Sequence, residues 1–214
     1  MRPSRKLLEL SALAAIAGLA VPAFALNYPL SSTAIRDAYF LGNHKDRLTA
    51  DFLAGYTHRL PAPRTGPYVD EIGIDTPFTE VVRHSERYAN YNAPDAVEEF
   101  QHKPLTVCVH VDIALTPSYS PIPGRAVTAF YEWVPDFWND FKVTLLQGTQ
   151  AIPAQHRRGG PFYAYGSTEL PYIVGARIEL DYDPTEIEAA ATTIEVLTPD
   201  GQKVETTFDL GKLR

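Results

Sequence analysis

The stretch Leu105-Thr106-Val107-Cys108-Val109-His110-Val111-Asp112-Ile113-Ala114-Leu115 decides the fold class. Every odd-numbered position is aliphatic, and the even-numbered ones are small, polar or charged. Successive side chains of a strand point to opposite faces, so a period of two yields one wholly apolar face. A helix would scatter the same residues around its axis. This is a strand with one buried side.

The pattern recurs on the C-terminal side. Within Tyr172 to Tyr182, Val174, Ala176, Ile178, Leu180 and Tyr182 alternate with Arg177, Glu179 and Asp181. Phe141, Val143 and Leu145 share a face in a strand over 141–147. Ile194, Val196 and Thr198 lead into Pro199-Asp200-Gly201, and Val204, Thr206, Phe208 and Leu210 return, which reads as a hairpin reversed by a glycine. One-sided strands without long intervening helices favour antiparallel pairing. The expected class is α+β, mainly β: an antiparallel, immunoglobulin-like β-sandwich over residues 68–214. A Cys-Trp-Cys spacing is missing, because Cys108 is the sole cysteine.

Upstream the period becomes helical. Ser31, Ser32 and Thr33 are N-cap residues ahead of a helix over 34–41, closed by Gly42-Asn43. A second helix is expected over 45–56, with Leu48, Phe52 and Tyr56 on one stripe. Pro61-Ala62-Pro63-Arg64-Thr65-Gly66-Pro67 reads as a stiff connector, so residues 26–67 form a helical N-terminal segment. Val69 to Asp75 is a short strand, Glu80 to Tyr91 fits helix or strand, and Pro94 to Gln101 is a helix.

The first 25 residues read as a secretory signal peptide. Arg2, Arg5 and Lys6 precede an apolar run from Leu10 to Val21, and Ala23-Phe24-Ala25 is a small-x-small ending. The run is short of the ~20 residues that a spanning helix needs. The expected product begins at Leu26, has no membrane span, and is periplasmic or secreted. With 26 acids against 19 bases the chain is unsuited to nucleic acid, which demands a basic face. A lone cysteine excludes an intramolecular disulfide, so the core alone must hold the fold.

Four clusters could carry chemistry. Cys108, His110 and Asp112 share one strand face and offer a thiol, an imidazole and a carboxylate, a conceivable metal set or Cys-His nucleophile. Strand neighbours splay, however, so the plain alternative is the polar side of an amphipathic strand. Phe130, Tyr131, Trp133, Phe137, Trp138 and Phe141 enclose Glu132, Asp136 and Asp140. Rings beside acids suit a sugar cleft or paired carboxylates for glycoside hydrolysis, whereas aromatics more often fill cores. Arg157 and Arg158 lie in a basic, Gly-ended stretch read as a loop able to grip an anion or guard a sheet edge. Asp181, Asp183, Glu186 and Glu188 match no twelve-residue calcium loop.

Serine-hydrolase elbows, zinc-protease pairs, phosphate loops and dinucleotide fingerprints are absent from the sequence. The reading is therefore an exported, non-enzymatic β-sandwich protein that needs no cofactor and binds an undefined protein or glycan partner, or is envelope-associated. The alternative is a carbohydrate-binding module or weak glycoside hydrolase using residues 130–141. The candidate ligand-binding residues are Trp133, Asp136, Trp138, Asp140, Arg157 and Arg158.

Overall fold

The computed structural model describes residues 28–64, 66–116, 136–165 and 171–214. The signal segment expected over residues 1–25, and Trp133 with the rest of the aromatic stretch before Asp136, lie outside the described residues.

The chain is α+β, mainly β. Among the described residues, four helices, α1 (Ser32–Asn43), α2 (Arg47–Ala54), α3 (Pro77–Arg87) and α4 (Ala93–His102), accompany nine strands. Strands β1 (Thr57–Arg59), β2 (Pro67–Asp75), β3 (Val107–Leu115), β6 (His156–Tyr165) and β7 (Pro171–Tyr182) form a five-stranded sheet in the order β1-β2-β3-β7-β6. Strands β4 (Lys142–Gln147), β5 (Gln150–Ile152), β8 (Ala191–Leu197) and β9 (Lys203–Asp209) form a second sheet in the order β5-β4-β8-β9. All of the pairings are antiparallel. Among the described residues, no helix is long and apolar enough to cross a membrane.

The two sheets share one core. Val107, Val109, Val111 and Ile113 of β3, with Ile72, Ile74, Ala176, Ile178 and Leu180 beside them, meet Leu145, Ile194, Val196, Phe208 and Leu210. Fully burying each aliphatic side chain contributes ~1.5–3 kcal/mol, which makes this the dominant stabilising layer. The β8–β9 reversal places Gly201 at φ +83°, the left-handed region expected of it.

A second core joins the helices: Ile35, Ala38 and Tyr39 of α1 pack on Phe78, Val81 and Val82 of α3 and on Phe100 of α4. Ser31, Asp46, Thr76 and Asn92 cap the four helices with their side-chain oxygens. Glu80 to Tyr91 resolves into α3 followed by irregular chain, because Thr76 and Thr79 close a capping box and Pro77 starts the first turn.

Four local expectations are corrected. Leu48 is 67% exposed; the inward face of α2 is Thr49 and Leu53, fixed by Thr49 Oγ1 donating to the Leu41 carbonyl at 2.6 Å. Gly42 lies inside α1, where a Cβ would come 2.2 Å from the Val82 carbonyl oxygen, so it permits close helix contact and does not end the helix. In β7, Ile173 is buried and Val174 is not, because Phe162 pairs with Gly175 and Tyr163 with Ile173, skipping Val174. The basic stretch at 156–160, expected as a loop, is half of a ten-residue strand, β6.

Candidate functional site

The face of the five-stranded sheet turned away from the shared core is charged. Cys108, His110 and Asp112 do project from it together, but each is committed to different neighbours. Asp112 lies opposite Arg177 and takes a two-pronged bond from it, Nε to Oδ1 at 2.6 Å and Nη2 to Oδ2 at 2.7 Å. His110 is buried beneath this face, with Nδ1 3.3 Å from Asp75 Oδ2 and Nε2 3.7 Å from Glu71 Oε1. It lies across Gly73, where a Cβ would come 2.2 Å from Nε2. Glu71 is held in turn by Arg59 at 2.9 Å and Asp75 by Arg83 of α3 at 2.7 Å.

These contacts shift the protonation of two groups on the face, Asp75 and Cys108. Burial opposes the charge of Asp75, but its hydrogen bonds to His110 and Arg83 and their nearby charges outweigh it and hold the carboxyl below its usual range. Cys108 experiences the reverse: burial, then Asp181, Glu179 and Asp75, push its thiol well up. A thiol kept protonated is a poor nucleophile and a poor metal ligand. Among the described residues no group of three His, Cys, Asp or Glu side chains is placed to hold a metal ion. No buried side-chain nitrogen or oxygen among them lacks a hydrogen-bond partner. The face is electrostatically satisfied.

A cleft of about 300 Å³ opens where α3 meets this face, with Cys108, Asp75 and Asp181 on one side and Arg83, Arg87 and Arg158 around it. Arg158 is paired with Asp181 at 3.2 Å and Glu179 at 3.5 Å.

The larger concavity, about 690 Å³, lies at the opposite end of β2. Pro61 and Pro63 of the β1–β2 connector and Pro67 and Tyr68 at the start of β2 supply one wall. Phe137, Asp140 and Phe141 supply another from the 3-10 turn Phe137–Asp140, and Thr198, Pro199, Asp200 and Gln202 a third from the β8–β9 turn. Asp140 and Asp200 are the charged side chains in this lining among the described residues. The Thr198 hydroxyl and the 198–202 turn amides hold Asp200 below the usual carboxylate range, so it carries its charge at neutral pH.

The sequence candidates therefore separate. Asp140 borders the groove, while Trp138 is turned inward at 7% exposure with its indole over Gly159, so it offers no open platform. Asp136 precedes the 3-10 turn, and its carbonyl accepts the Asn139 amide at 2.9 Å. Arg157 ties the turn to β6 by donating to the carbonyls of Trp138 at 3.1 Å and Phe141 at 3.0 Å. Arg158 faces the other side of the sheet. Tyr68, Asp200 and Gln202 were not singled out by sequence reading, since two turns some 130 residues apart meet only in the folded chain. No family model matches the chain, and neither a curated protein nor a solved structure matches it.

Proposed function

We propose that the protein is an exported, non-enzymatic binding protein, periplasmic or secreted, that takes a basic, apolar segment of a protein partner into the 690 Å³ groove. The observation that carries the reading is the lining itself: stiff proline and aromatic walls with two aspartates and no cationic side chain among the described residues. Proline walls lose little freedom when a ligand orders them, and a large apolar concavity with a few polar groups is the usual form of a binding site. The immunoglobulin-like character of the sheet pair belongs to the same proposal, and the two antiparallel sheets around one core support it.

The test uses a nonapeptide of three Lys-Pro-Leu triplets and its twin with Glu for Lys, both fluorescently labelled. The lysine peptide is expected to bind, to weaken with salt, and to weaken about tenfold, some 1.4 kcal/mol, in Asp140→Lys. Equal binding of the two peptides, or binding indifferent to Asp140→Lys, would overturn the assignment of the groove. Displacement of the peptide by neutral oligosaccharides would transfer the site to the glycan reading. N-terminal sequencing is expected to find Leu26 first; a cytosolic chain retaining residues 1–25 refutes export.

A further inference from the structure

Strand β6 is the outermost strand of the five-stranded sheet among the described residues, and its composition is divided. His156, Arg157 and Arg158 form a basic half, Gly159-Gly160-Pro161 the middle, and Phe162, Tyr163 and Tyr165 an aromatic half. Phe162, Tyr163 and Tyr165 are 38%, 50% and 75% exposed, which is unusual for three large rings on one strand. An edge of this length is a template for another strand unless charge repels it. Here Arg158 is paired with Asp181 and Glu179, and Arg157 donates to two carbonyls, so both guanidinium groups keep their charge but are held by their own chain.

We propose that β6 is a self-association surface, pairing antiparallel with β6 of a second copy about a twofold axis at Gly160. A self-paired antiparallel strand must place one residue opposite itself, because residues facing each other must turn the same edge outward. Centring on Gly160 sets Arg158 opposite Phe162 and Arg157 opposite Tyr163 of the second copy. The pairing within the sheet agrees with this register. Arg158 and Phe162 lie opposite Glu179 and Gly175, and so on the charged face. Arg157 and Tyr163 lie opposite Leu180 and Ile173, and so on the core-side face. Each copy thus presents two cations to two rings, an attraction of the kind Arg177 already makes with Phe162 at 5.6 Å. No atom lies within 4 Å of a Cβ built on Gly160, so the axis is open. Pro161 withdraws one donor from the ladder, and a single strand edge buries less than a standard interface, so the dimer forms at high protein concentration.

The register gives a specific test. Residues facing each other in an antiparallel pair have Cα atoms about 4.5–5.5 Å apart, within disulfide reach. Gly160→Cys is expected to cross-link two chains under mild oxidation, whereas Tyr165→Cys, far from the axis, and the wild type with Cys108 alone should not. Sedimentation of the wild type between about 10 µM and 1 mM should move toward the dimer, with concentration-dependent amide protection over 157–164. Phe162→Arg, which places like charges opposite each other, should weaken the dimer at least tenfold while circular dichroism stays unchanged. A monomer across that range, cross-linking as efficient at 165 as at 160, or association unaffected by Phe162→Arg would each overturn the proposal.

Discussion

Gly159 and Gly160 are neighbours on β6, yet they meet opposite surroundings. A Cβ at Gly159 would lie 2.4 Å from Trp138 Cδ1 and 2.5 Å from Nε1, whereas one at Gly160 meets nothing within 4 Å. Replacing either with alanine removes the same backbone freedom from the unfolded chain, a gain of about 0.4–1 kcal/mol. The two substitutions therefore differ only in the folded state. At Gly159 the indole must move by about an ångström within a packed layer, and overpacking of this kind costs about 1–3 kcal/mol. For a domain of this size 1 kcal/mol corresponds to about 2–4 °C. Gly160→Ala should raise Tm by about 1–4 °C, and Gly159→Ala, where the gain offsets part of the packing cost, should lower it by up to about 10 °C. Because Trp138 is 7% exposed and its carbonyl receives the Arg157 bond at 3.1 Å, its displacement should also shift tryptophan emission to the red in Gly159→Ala alone. Thermal unfolding by circular dichroism and emission spectra of the three proteins decide the matter. Equal Tm changes in the two variants, or an unshifted emission in Gly159→Ala, would refute the placement of the indole over β6.

Asp75 has its carboxyl held below the unfolded value, so its contribution is present above a pH of about 4 and is lost as pH falls toward the folded value. Asp75→Asn should therefore lose stability at pH 7 and flatten the acid side of the urea-midpoint profile; an unchanged profile would contradict the ion network around His110. Arg177→Met strips Asp112 of both bonds at a half-buried position and should cost about 1–3 kcal/mol by chemical denaturation, with much of it recovered when Asp112→Leu is added. Cys108, its thiol raised by burial and by Asp181, Glu179 and Asp75, should resist iodoacetamide at pH 8 when folded and react readily in denaturant. Rapid labelling of the folded protein would contradict that environment.

Several elements were legible because their signal is local. Alternation in β3 translates directly into burial, with Val107, Val109, Val111 and Ile113 at 0–1% exposure. The Asp200-Gly201 turn and the Ser31 cap depend on their own backbone and nearest neighbours. Other elements depend on partners distant in sequence. Arg157-Arg158-Gly159-Gly160-Pro161 has the composition of a loop, and it is a strand because β7 supplies the ladder and Trp138 occupies the space that Gly159 leaves. Val174 loses its core position to Ile173 because a cross-strand irregularity shifts the phase, which alternation along one strand cannot register. The three polar residues of β3 share a face as their spacing required, but Arg177, Asp75 and Glu71 draw them apart chemically.

Patterning along the chain was sufficient to establish that the protein is mainly β, where its hairpin turns, and which side of β3 faces inward, since these follow from side-chain direction and backbone preference over a few residues. Only the folded chain settled what those faces touch. The groove needs a proline connector, a 3-10 turn and a hairpin turn brought to one end of the sheets, and the ionic face needs side chains from four strands and a helix. Such contacts are set by how layers pack and strands register, and no short window of sequence holds both partners.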